Sequence, residues 1–202
     1  MSSSRTSLTH HWVAIRAMLV FTAVLGVGYP LLVTGIGQVA LPAQANGSLE
    51  TVDGETVGSA LIGQGFADAD GNPLPEWFQP RPSAAGDGYD GSASSGSNYG
   101  PENLGLIASI EERQAQIAET NSVAIDAIPA DAVTASASGL DPHISPEYAL
   151  LQVERVADAR GIAVDEVLAL VETHTQGRDL GYLGEQTVNV LQLNIALESL
   201  KG

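Results

Sequence analysis

A chain of 202 residues fits one ordinary domain plus an appendage. It contains no cysteine, which excludes disulfides, thiolate nucleophiles and Cys-ligated zinc or iron–sulfur centres. All 24 acidic residues lie at or after Glu50, whereas two of the 8 basic residues, Arg5 and Arg16, precede it; the remainder sets six bases against 24 acids, a net −18, and a field of that sign repels nucleic acid and attracts cations.

The first element is the run "WVAIRAMLVFTAVLGVGYPLLVTGIGQVAL", from Trp12 to Leu41. No charged residue stands between Arg16 and Glu50. Spanning a bilayer takes roughly 20 apolar residues, so the run predicts a transmembrane helix over 13–41. A cleaved signal is the alternative, and "AQA" at 43–45 resembles its cleavage site. The apolar run, however, is about twice as long as a signal core of about 7–15 residues. Arg5 and Arg16 before the span predict a cytoplasmic N-terminus over 1–12 and an extracytoplasmic domain over 42–202. Thr22, Gly26, Pro30, Thr34 and Gln38 recur every four residues and form one stripe of small or weakly polar side chains. Such a stripe admits a second helix at close range, although membrane helices are rich in Gly and Pro in any case.

Residues 48–62 predict a hairpin, with Asp53-Gly54 as the tight turn between Val52 and Val57. Residues 68–101, rich in Gly, Ser, Pro and Asp, predict a long loop that is either functional or mobile. Trp77, Phe78, Tyr89 and Tyr99 offer it apolar contacts. A helix is predicted over 104–119 from Leu104, Ile107, Ile110 and Ile117, then a strand over 127–136. Ser145-Pro146-Glu147 starts the next helix, buried through Ala149, Val153, Val156 and Ala157, and Arg160-Gly161 ends it. Further helices are predicted over 165–174 and from Thr187 to Leu200. The fold class expected is an α+β extracytoplasmic domain with one N-terminal transmembrane helix.

The stretch "TASASGLDPHISP", 134–146, crowds serine, aspartate and histidine together. A hydrolase using Ser136 or Ser138 with His143 is the catalytic reading. The chain lacks the G-x-S-x-G elbow, and turn and cap chemistry before a helix explains the same residues. No P-loop and no H-E-x-x-H occur. "DADGN" at 68–72 resembles a calcium loop only faintly and reads as a turn, and His174 reads as a helix-end residue.

Several blocks stand in one order: "YPLLVTGIGQ" (29–38), "QANGSL" (44–49), "GSALIGQGF" (58–66), "RPSA" (81–84), "ASASGLDPHISPE" (135–147), "RVADAR" (155–160) and "VNVLQLNIAL" (188–197). Together they resemble the C subunit of the bacterial Kdp potassium-importing P-type ATPase, from about residue 17 onward. Pro80, where that family has glycine, and the long "ADADGNPLPEW" depart from the pattern. The resemblance implies a non-catalytic, single-pass subunit of the cell membrane, with membrane lipid around its span. Its partners would be a channel-like potassium-translocating subunit and a P-type ATP-hydrolysing subunit. It implies no cofactor of its own; ATP and potassium are handled by the complex. It implies a role in assembly and as a catalytic chaperone that raises the ATP affinity of the hydrolysing subunit. The topology leaves about the first 16 residues on the ATP side, so such an effect calls for indirect coupling.

Overall fold

The computed structural model describes residues 3–200. Met1 and Ser2 of the expected cytoplasmic N-terminus, and Lys201 and Gly202 of the expected domain, lie outside the described residues. The chain divides into two compact units, with the boundary between Ser48 and Leu49.

The first unit is helical. α1 (Ser3–Phe21) runs into a π-helical segment (Thr22–Gly28) and then α2 (Tyr29–Ala40). Proline explains the wide turn. Pro30 has no N–H, and its ring displaces the carbonyl four residues earlier, so the preceding turn loosens. The Tyr29 N–H reaches Val24, five residues back. Thr9–Ala40 forms 32 residues of mean hydropathy 2.0, long and apolar enough to cross a membrane, and none of it is buried within the chain. Near its start the Arg16 guanidinium lies 5.3 Å from the Trp12 ring. A short helix, α3 (Pro42–Ala45), folds back after Leu41. There the Asn46 amide exchanges hydrogen bonds with Gln38, at 3.1 and 3.3 Å.

The second unit opens with the predicted hairpin. β1 (Leu49–Val52) and β2 (Glu55–Ser59) are antiparallel, with a bulge between Glu50 and Thr51. Asp53 and Gly54 both take positive φ, 52° and 85°, which the two-residue turn requires. After the long loop come α4 (Leu104–Asn121), α5 (Ala130–Val133), β3 (His143–Ile144), α6 (Pro146–Arg160), α7 (Val164–His174), β4 (Thr175–Gln176), β5 (Thr187–Asn189) and α8 (Val190–Ser199). β5 pairs antiparallel with both β3 and β4, giving the order β3-β5-β4. Helices α6, α7 and α8 share one core with this sheet, made by Ile144, Val156, Val167, Val171, Val188, Leu193 and Leu197. The α+β class is as expected.

Two expected elements differ. Residues 127–136 hold the short helix α5 in place of a strand. Pro129 caps it, Asp131 stands in its first turn, and one helical turn suffices to bury Ala132 and Val133. Residues 187–189 form β5, and the last helix starts only at Val190, where the Asn189 side chain accepts from the Gln192 N–H at 3.1 Å. α4 exists as predicted but has no fully buried side chain, and Leu104 is 81 % exposed.

α6 follows its sequence signals closely. Ser145 Oγ accepts from the Tyr148 N–H, Pro146 occupies the first turn, and Gly161 ends the helix at φ 66°. Burial of Ala149, Val153, Val156 and Ala157 is as predicted, with Tyr148 and Gln152 added.

Candidate functional site

The long loop has few backbone pairs of its own, yet Phe78 within it is 0 % exposed. Buried backbone groups need partners, and side chains from distant helices provide them. Asn194 of α8 accepts from the Phe78 N–H and donates to the Phe78 carbonyl, both at 3.0 Å. Gln152 of α6 repeats the device on the next residue: its Oε1 accepts from the Gln79 N–H at 2.7 Å and its Nε2 donates to the Gln79 carbonyl at 3.1 Å. Arg155 donates to the carbonyls of Leu74, Pro75 and Trp77. Arg160 donates to the Glu76 carbonyl at 2.7 Å and stacks 4.2 Å from the Trp77 ring. The "RVADAR" block therefore supplies two guanidinium caps to one loop. Of the aromatic residues expected to dock the loop, Phe78 is buried and Trp77 and Tyr89 are half-buried, whereas Tyr99 is exposed.

The serine-rich stretch is a strap. The Ser138 carbonyl accepts from the Ser95 N–H at 2.9 Å, the Gly139 carbonyl from Ser83 Oγ at 2.6 Å, and the Leu140 carbonyl from the Gly63 N–H at 2.9 Å. Gly139 takes φ 67°, and a Cβ there would stand 2.7 Å from both the Ala85 nitrogen and the Ser95 oxygen, so only glycine fits. Ser138 Oγ accepts from the Leu140 N–H, Ser136 Oγ is buried without a partner, and no hydrogen bond joins either serine to His143 among the described residues. His143, placed in β3, faces Asp141, with Nδ1 3.4 Å from Oδ1. Asp141 in turn pairs with Arg81 at 2.9 Å. The arrangement is a brace between loop and strap.

Burial alone would raise the Asp141 carboxyl, but hydrogen bonds from His143 and Arg81 outweigh it and hold the group below its usual range. A carboxyl depressed in the folded state stabilises fully above its unfolded value, about pH 4, and that contribution is lost as pH falls through the folded value. Asp141→Asn is therefore expected to lower the urea midpoint at pH 7 and to flatten its decline below about pH 4. An acid limb as steep as that of the parent chain would contradict this.

At "DADGN", Asp68 Oδ1 accepts from the N–H groups of Asp70 and Asn72, at 2.9 and 2.8 Å, a local turn. No group of three His, Asp or Glu side chains is placed to hold a metal among the described residues. His174 ends α7 with Nδ1 2.9 Å from the Leu170 oxygen.

Between the loop and α4 lies a cleft of about 390 Å³, lined among others by Phe66 just before the loop, Arg81 and Tyr89 of the loop, Arg113 and Ile117 of α4, and Tyr148 of α6. Sequence reasoning missed it. The signal available was a tyrosine and an arginine on otherwise conventional helices, which is weak. The Tyr89 hydroxyl donates to the Arg81 carbonyl at 2.6 Å, and burial pushes its phenol above the ordinary range. In the first unit, Thr22, Gly26, Pro30, Thr34 and Gln38 are all exposed, with Gln38 hydrogen-bonded to Asn46. A Cβ added at Gly26 would meet only the Thr22 methyl, at 3.8 Å.

Fold and site together define an α+β protein with one helix long and apolar enough to cross a membrane, whose long loop is fixed by side chains from its own helices. The family model described as KdpC, the c chain of a K+-transporting ATPase, matches residues 11–199, and the chain belongs to that family. It is 56 % identical over 182 residues to the potassium-transporting ATPase KdpC subunit of Kineococcus radiotolerans, covering 90 % of this chain and 89 % of the relative. The KdpC subunit of Mycobacterium bovis is 52 % identical over 188 residues, 93 % of this chain and 96 % of its own. That of Caulobacter vibrioides is 54 % identical over 194 residues, 95 % and 94 % of the two chains.

Proposed function

We propose that this chain is the single-span accessory subunit of an ATP-driven potassium importer. Its N-terminus lies in the cytoplasm and its α+β domain outside, as Arg5 before the apolar helix and Arg16 near its start favour. It holds together a channel-like translocating subunit and a P-type ATP-hydrolysing subunit, and it raises the ATP affinity of the latter without breaking bonds itself. The observation that carries this reading is the helix. Over 32 residues it is apolar and none of its apolar window is buried among the described residues, while Thr22, Gly26, Pro30 and Thr34 recur at every fourth position. Lipid gives such a face no reason to be small; close approach of another helix does.

An effect on ATP affinity then passes through contacts between subunits, as a coupling free energy of about 1–3 kcal/mol. The hydrolase reading has lost its geometric support, because His143 faces Asp141 and not a serine.

The test is Gly26→Leu in the full chain, expressed with the other subunits and purified through a tag in mild detergent. The helix itself has room for the side chain, so the helix folds and any loss lies in association. Recovery of the two large subunits is expected to fall several-fold, with Gly35→Leu, one position round from the stripe, as the control that retains them. Equal recovery in both variants refutes the docking face.

A further inference from the structure

The cleft between the loop and α4 is lined by two arginines of different standing. Arg81 is already matched by Asp141. Arg113 makes no ion pair among the described residues; its single hydrogen bond runs from Nη1 to the Val133 carbonyl at 2.9 Å, which leaves its other N–H groups without a protein acceptor. The one acidic residue lining the cleft, Asp87, is exposed. A guanidinium without a carboxylate is unusual in a domain where acids outnumber bases fourfold.

A second, independent feature is Tyr148. It is 3 % exposed, lines the same cleft, and its hydroxyl has no hydrogen-bond partner among the described residues. Among those residues the buried side-chain atoms without a partner are Arg81 Nε and Ser136 Oγ, so the Tyr148 hydroxyl opens onto the cleft. Burial pushes its phenol up to about 12, so it stays protonated and able to donate. The walls mix apolar side chains, Phe66 and Ile117 on different elements among them, with polar ones such as Gln116 and Thr120.

We propose that this cleft binds a carboxylate carried on an apolar chain, with the Arg113 guanidinium and the Tyr148 hydroxyl as the donors. A guanidinium fork matches the two oxygens of a carboxylate, and a phenol completes the set. One unmatched cation suits a single negative charge, and the acidic domain disfavours polyanions such as nucleotides. The carboxylate comes either from a free organic acid or from an acidic or C-terminal residue of a neighbouring protein.

The probe is hydrocinnamate, with its neutral amide as the matched control, titrated calorimetrically into the full chain in detergent micelles. Saturable binding of the acid and none of the amide is expected. Arg113→Gln should weaken the acid about ten-fold or more, as loss of a charge-assisted hydrogen bond implies. Tyr148→Phe keeps the ring and removes only the donor, and should weaken it several-fold with the melting temperature little changed. Arg113→Lys should fall between Arg113→Gln and the parent. Equal binding of acid and amide, unchanged affinity in both variants, binding of ATP in preference to the acid, or no saturable binding overturns the proposal. Repeating the titration on the assembled complex separates the sources. Loss of hydrocinnamate binding there assigns the carboxylate to a partner subunit, and retention assigns it to a free acid. Only this last arm rests on the proposed complex; the titrations of the chain alone stand without it.

Discussion

Replacing Arg155 with methionine is expected to destabilise the α+β domain by about 3–5 kcal/mol. The guanidinium serves three loop carbonyls, those of Leu74, Pro75 and Trp77, and two side-chain amides, Asn121 at 2.9 Å and Gln152 at 2.7 Å. Methionine fills much of the same volume but donates nothing. Gln79 still donates to the Leu74 and Trp77 carbonyls and to Gln152 Oε1, so the loss falls on the Pro75 carbonyl and Asn121 Oδ1, at about 1–3 kcal/mol each, and on the weakening of the shared contacts. Burial draws the Arg155 pKa down, with Tyr148 and Glu76 opposing, yet an arginine remains charged. Arg155→Lys should recover only a fraction, because an ammonium cannot reproduce the planar fork. The comparison that isolates the effect is Arg178→Met. Arg178 pairs with Glu185, but the two side chains are 47 % and 79 % exposed, and such pairs contribute about 0–1 kcal/mol. Urea unfolding followed by circular dichroism reads both. Equal, small losses would mean that the loop is held by other contacts.

Local signals made α6 and the hairpin legible. Ser145, Pro146 and Gly161 act within one turn of themselves, and Asp53-Gly54 dictates its own dihedral angles. The expected strand at 127–136 failed because so short an apolar run carries no period to tell a helical turn from a strand, and Asp131 settles the matter through a distant partner. Its carboxylate accepts from the Ser145 N–H at 2.7 Å and from Ser145 Oγ at 2.8 Å. β5 was hidden for a similar reason: three residues become a strand only because β3 and β4 flank them. The loop was legible as a loop from its composition, but its rigidity was not. Its partners lie 73 residues away at Gln152 and 116 at Asn194. The available sign was an amide on the otherwise apolar face of each helix, since a polar residue there needs a partner. The four-residue spacing from Thr22 to Gln38 is visible in the sequence, whereas the wide turn around Gly26 and the amide pair of Gln38 with Asn46 required the fold.

Asn194→Leu tests the same principle at a second buried amide. Asn194 is 2 % exposed, and its amide stands in for a strand by pairing both backbone groups of Phe78. Leucine is close in volume and more apolar, so area burial alone predicts a gain. Hydrogen-bond accounting predicts the reverse, because the Phe78 N–H and carbonyl both lose their partner where water cannot easily replace it. The expected loss is about 2–5 kcal/mol. Asn194→Asp separates the two halves of the contact. A carboxylate accepts from the N–H but cannot donate to the carbonyl, and it places a charge in the core. Burial raises the pKa of an unpaired carboxyl, so this variant should be more stable near pH 4–5 than at pH 7, the neutral acid regaining the donor. Gln152→Leu, which frees Gln79 next along the chain, should cost less in the Asn194→Leu background than alone. Once the loop has lifted from α8, its second tie to α6 has less left to hold, and residues in one network couple by about 0.5–3 kcal/mol. Strict additivity would instead make the two amides independent clamps, and the loop wall of the cleft would then open in two separate steps.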